Sequence, residues 1–214
     1  MAGPHDRIIS DAAKTALSPL GFKRKGRSRI WLADHGWWIT AVEFQPSSWS
    51  RGTYLNVGAH WLWSGNGYLS FDFGHRVEEF VEYLSEVQFA LALVHLGQRA
   101  TQEAERLDRL FHGVSAVADV LITEVRHTHE PGQGSWVSYN AGVAAGLTGR
   151  PGDATEMFNR ILGGSPTKHD ALTEAAQKMV PLVGDPPRLR AAVAKMIEVQ
   201  RAALRLPTLS KPPI

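Results

Sequence analysis

The 214-residue sequence contains no cysteine, which excludes a disulfide framework, a thiolate metal site and a cysteine nucleophile. It also lacks a long apolar run. The longest uncharged stretch, residues 52–71, is interrupted by Asn56, Gly58, His60, Gly65 and Gly67 and alternates in character, so it does not read as a membrane span. Residues 1–6 show no basic-then-apolar order, so no secretory signal is visible there and the expected setting is the cytoplasm. Charge of one sign is scarce: 23 Lys and Arg against 21 Asp and Glu give a net +2, a field too weak to imply a nucleic-acid partner by itself. No G-x-S-x-G, P-loop, G-x-G-x-x-G followed by a helix, or H-E-x-x-H occurs. His127, Thr128, His129 and Glu130 form the one histidine cluster, and an i, i+2 pair on a helix does not converge on a metal. No cofactor, metal ligand or catalytic residue is therefore assigned, and a non-catalytic protein is favoured over an enzyme.

What is present is unevenly spread. With 43% hydrophobic and 21% charged residues the composition is that of a globular protein. Lys23, Arg24, Lys25, Arg27 and Arg29 hold five positive charges in seven residues, leaving the rest of the chain mildly acidic. Six of the seven Trp fall between positions 31 and 63, where Gly recurs as hairpin turns require. From about residue 85 Ala, Leu, Arg and Glu take over, a helix composition. These features predict an α+β protein. An N-terminal helix and an antiparallel sheet of four to six strands (residues 1–84) precede a helical region (85–206) and a loose tail (207–214).

The first helix is expected over 6–18 with Asp6 as N-cap. Strands are expected at 22–26, 29–34, 37–45, 53–63 and 68–73. Residues 76–84 fit either a helix or a strand; the Ser85–Gln88 capping box favours a strand, paired to 68–73 through Gly74 and His75. Helices are expected at 86–111, 114–127, 135–148, 153–163, 168–182 and 187–205. Alternation puts Leu55, Val57, Ala59, Trp61 and Trp63 toward a core and Asn56 and His60 on the opposite face.

Two resemblances follow from particular residues. Gly21-Phe22-Lys23-Arg24-Lys25-Gly26, then Phe44-Gln45-Pro46-Ser47-Ser48-Trp49-Ser50, then Tyr54-Leu55-Asn56-Val57-Gly58 resemble the bacterial domain-of-unknown-function family numbered 4304 over about residues 8–70. Pro46 departs from its usual polar residue. The resemblance implies a sheet beside an N-terminal helix and carries no chemistry. Gly142, Gly149, Ala154, Phe158 and Pro166 sit at the offsets of a tetratricopeptide repeat, while Ser138, Ala145 and Ile161 depart from it; a second unit is suggested by Gly184. In such a hairpin Gly142 and Ala154 are expected to face each other where the two helices cross.

Two candidate surfaces emerge. Glu43, Gln45, Asn56 and His60, rimmed by Ser48, Trp49 and Arg51, form a polar row suited to a peptide, a sugar or a base, or the ordinary wet side of a sheet. Lys23, Arg24, Lys25, Arg27 and Arg29 are candidate phosphate contacts, or charges that guard an edge strand. Binding of a protein or peptide is the leading reading. Nucleic-acid binding through the 23–29 patch is the alternative, and a hydrolase or transferase comes third.

Overall fold

Helix α1 (Pro4–Leu17) begins where Pro4 supplies the fixed φ of a first helical residue. Asp6 is not the N-cap. It stands at the third helical position, where its Oδ2 accepts the Gly3 N–H at 3.1 Å, the return half of a capping box. The computed structural model describes residues 3–128, 134–163 and 171–214. The chain divides into two units, Met1–His60 with Leu69–Arg109, and Trp61–Tyr68 with Leu110–Ile214.

In the first unit five antiparallel strands follow α1 in the order β1-β2-β3-β4-β5: β1 (Lys23–Arg24), β2 (Ile30–Asp34), β3 (Trp38–Gln45), β4 (Gly52–Trp61) and β5 (Phe73–Glu82). The 25-residue helix α2 (Glu86–Leu110) comes next. Ser85 caps it, its Oγ accepting the Gln88 N–H at 3.2 Å.

Pairing assigns the faces. Trp31 opposite Val42 and Leu55 opposite Glu78 share one side of the sheet with Phe44, Val57 and Ala59. That side meets the helices: Arg24, opposite Trp31, donates to Ser10 of α1, and Glu78 pairs with Arg99 of α2. Ile9, Ala13 and Leu17 of α1 and Phe89, Leu93, Leu96 and Ala100 of α2 are buried there, at the i, i+3, i+4 spacing that gives a helix one apolar stripe.

Residues 76–82 are strand, as expected, but their partner is β4 and not 68–73. β5 runs unbroken from Phe73, with Gly58 opposite Gly74 and Asn56 opposite Arg76, and register shifts mark two irregularities. The glycine pair explains the choice. A Cβ on Gly74 would lie 2.4 Å from the Gly58 Cα, and one on Gly58 would lie 2.7 Å from the Phe71 ring. Only a Gly–Gly step lets the strands and the Phe71 ring approach so closely.

In the second unit, residues 61–68 join α3 (Val114–Thr128), α4 (Trp136–Leu147), α5 (Pro151–Leu162), α6 (Ala171–Met179) and α7 (Pro186–Ala203). Helix α4 is buried almost all round and packs against α3, α5, α6 and α7. Its small residues admit large neighbours: a Cβ on Gly142 would meet the Phe158 ring at 2.8 Å, and one on Gly146 would meet Leu189 at 2.6 Å and Ala154 at 3.8 Å. Trp63 Nε1 donates to the buried Asn140 Oδ1 at 3.0 Å. Gln200, fully buried on α7, bonds Asn66, the Gly67 N–H and the Tyr68 carbonyl, all at 2.8–2.9 Å. Pro166, His129 and Glu130 lie outside the described residues, as does the expected start of the sixth helix at 168.

Candidate functional site

The face of the sheet turned away from α1 and α2 carries the polar row. Alternation along β3 and β4 brings Glu43, Gln45 and Asn56 together: Asn56 Nδ2 donates to Glu43 Oε2 at 3.1 Å and to Gln45 Oε1 at 2.8 Å. Arg76, across from Asn56 on β5, donates to the same Gln45 oxygen at 3.3 Å, and its guanidinium carbon stands 4.1 Å from the centre of the Tyr54 ring. Tyr54 in turn leans on Phe80, ring centres 5.1 Å apart. These three members of the expected row are only partly buried. Among the described residues, Gln45 Nε2 and Asn56 Oδ1 have no hydrogen-bond partner, which leaves one amide donor and one amide acceptor in the row.

His60 does not join them. It is fully buried, its Nδ1 2.9 Å from both Asp72 Oδ2 and Ser70 Oγ, while Ser70 Oγ donates to Asp72 Oδ1 at 2.7 Å. These residue types invite comparison with a catalytic triad, but hydroxyl and carboxylate meet the same ring nitrogen. A relay needs them on opposite nitrogens. The cluster anchors residues 70–72 over the His60 end of the face.

The 46–51 loop leads from Gln45 into β4. Ser47 Oγ accepts the N–H groups of Trp49 at 3.1 Å and Ser50 at 3.4 Å, and the Arg51 carbonyl accepts the Tyr83 N–H at 2.9 Å. Trp49, held on this turn, is 93% exposed; Ser48 and Arg51 are exposed as well.

The basic run divides into braces and free charges. Arg24 donates to the Arg27 and Ser28 carbonyls and to Ser10 Oγ, closing the β1–β2 turn and fastening it to α1. Arg29 pairs with Asp6 and donates to the Gly52 carbonyl at 3.2 Å. Burial would raise the Asp6 carboxyl, but the Arg29 hydrogen bond and charge outweigh it and hold the group below its ordinary value. Lys23, Lys25 and Arg27 have no side-chain partner among the described residues; Lys23 and Arg27 are exposed and Lys25 is half-buried.

Sequence reasoning missed Arg76, Tyr54 and Phe80. The signal for Arg76 is the Gly58/Gly74 step, which fixes the β4–β5 register two residues away. Among the described residues no group of three or more His, Asp or Glu side chains is placed to hold a metal, and no helix is long and apolar enough to cross a membrane.

Residues 13–106 match the family model described as a domain of unknown function (DUF4304). This stretch of the chain resembles that domain family. The match takes in the whole sheet, the polar row and the Trp49 loop, together with part of α1 and most of α2. No curated protein and no solved structure matches the chain.

Proposed function

We propose that the protein is a non-catalytic binding module that docks a peptide segment of another protein on the half-buried end of the sheet face that carries Glu43, Gln45 and Asn56. The observation that carries this reading is Trp49. A large aromatic ring left 93% in solvent on a hydrogen-bonded turn offers apolar area for a partner to bury, and such rings anchor interfaces. Gln45 Nε2 and Asn56 Oδ1 offer a donor and an acceptor to the carbonyl and N–H groups of a peptide backbone. Arg76, whose guanidinium also lies 3.8 Å from the Glu79 carboxylate, supplies a cation for an acidic side chain of that segment.

Panning a random-peptide display library against the immobilised protein tests this. Enriched peptides are expected to carry an apolar anchor and an acidic residue. Each of Trp49→Ser and Gln45→Ala/Asn56→Ala should weaken them by about 1–2 kcal/mol per lost contact while melting temperatures stay near wild type. Peptides that bind the variants as tightly as wild type, or no enrichment at all, would contradict it. So would variants that unfold while binding per folded molecule is unchanged.

A further inference from the structure

A second surface of the same unit stands apart from the polar row, on the outer side of the helix pair. Leu84, Val87, Leu91 and Val94 follow one another at spacings of 3, 4 and 3 residues and are exposed by 72, 74, 70 and 59%. That spacing places Val87, Leu91 and Val94 on one side of α2 as a ridge, with Leu84 just ahead of its first turn, the pattern by which helices seat against other helices. Phe89, Leu93 and Leu96 already bury the other side of α2, so the ridge is surplus to this unit's own core. Beside it α1 and α2 enclose a groove of about 420 Å³ whose lining carries no charged side chain. Ala12 and Ala16 face Gly97 in that groove, where a Cβ on Gly97 would come within 3.0 Å of the Ala16 Cβ. Thr15, Gln98 and Thr101 help to form the walls.

We infer that this face pairs with the same face of a second copy of the chain. A two-fold interface must be self-complementary, and this one surface holds both a ridge of branched side chains and a groove of small ones. A two-fold axis between them seats the Leu91–Val94 ridge of each copy in the groove of the other. No charge lines the groove, so pairing it with itself brings no like charges together there. Size agrees with such an occupant. Residues 86–101 of α2 extend about 25 Å, and two helices side by side are about 20 Å across. A footprint of that order, about 500 Å² per partner or about 1,000 Å² in total, lies at the small end of specific interfaces and suits a weak, reversible pairing. The dimer lies on the side of the sheet opposite Gln45 and Asn56.

Sedimentation equilibrium of the full chain from low micromolar to submillimolar concentration tests the pairing. A monomer–dimer equilibrium is expected. Leu91→Glu on the ridge and Thr15→Lys at the groove, both exposed positions that leave circular dichroism unchanged, should each weaken the dimer about tenfold to a hundredfold. Mixing the two variants should restore pairing as a heterodimer, because the carboxylate introduced on one copy then meets the ammonium introduced on the other. A chain that stays monomeric throughout would overturn the inference, including the case in which the ridge seats a different protein. A dimer indifferent to both variants, or variants that fail to complement each other, would overturn it as well.

Discussion

His35 shows how one residue in a turn can couple folding to pH. Its ring stacks on Trp38 with centres 4.0 Å apart, and Nε2 lies 3.0 Å from Thr40 Oγ1. Burial disfavours the imidazolium and moves the group below its usual value, against the opposing pull of Asp108 and Asp34. The unfolded chain therefore takes up a proton near pH 6.5, while the folded chain resists until the pH is lower. Stability from this group is complete above about pH 6.5 and declines as the pH falls through that value toward the folded one. Denaturant unfolding at pH 7.5 and pH 5.5 should show a larger loss for wild type than for His35→Gln. Equal losses would mean that His35 is not held neutral by the fold. His60 marks the limit of what alternation can say about a single residue. Its place on the face opposite Leu55 and Val57 follows from the strand pattern, but that pattern carries no information on which loop will cover the face. Ser70 and Asp72 bond its ring there.

Among elements, the helices are the most legible because their ends are punctuated. Ser85 with Gln88 starts α2, and Gly149 at φ 73° with Pro151 separates α4 from α5. β5 is harder. Both 68–73 and 73–82 are rich in aromatic or β-branched residues, and composition cannot choose a strand's partner; the close contact at Gly58 and Gly74 does. The tetratricopeptide offsets point to close helix packing in α4 and α5 but pair the wrong residues. Gly142 receives Phe158 and not Ala154, which lies beside Gly146. Gly142→Leu should then destabilise by about 1–3 kcal/mol, because its branches enter space that the Phe158 ring fills. Gly142→Leu/Phe158→Ala should recover part of that loss in melting temperature. Equal melting of wild type and Gly142→Leu would refute the packing. Across α3 and α5, Arg126 pairs with Asp153 at 2.8 Å and with Glu156, and these hydrogen bonds lower both carboxyls. They are exposed or nearly so, and their contribution is correspondingly small.

For the whole molecule, the basic patch and the sheet face make separate claims on a partner. Arg24 and Arg29 brace the hairpin, so at most Lys23, Lys25 and Arg27 are unengaged, and the salt slope of any single-stranded nucleic-acid binding should not exceed about 0.7 for each of these three. The polar row and Trp49 make the competing claim, for a peptide. Capture from a native lysate with the immobilised chain, with and without nuclease, and with wild type beside Trp49→Ser, decides between them. A protein partner that survives nuclease treatment and is lost with Trp49→Ser is expected. Capture abolished by nuclease, or retained in full by the Trp49 variant, would contradict it.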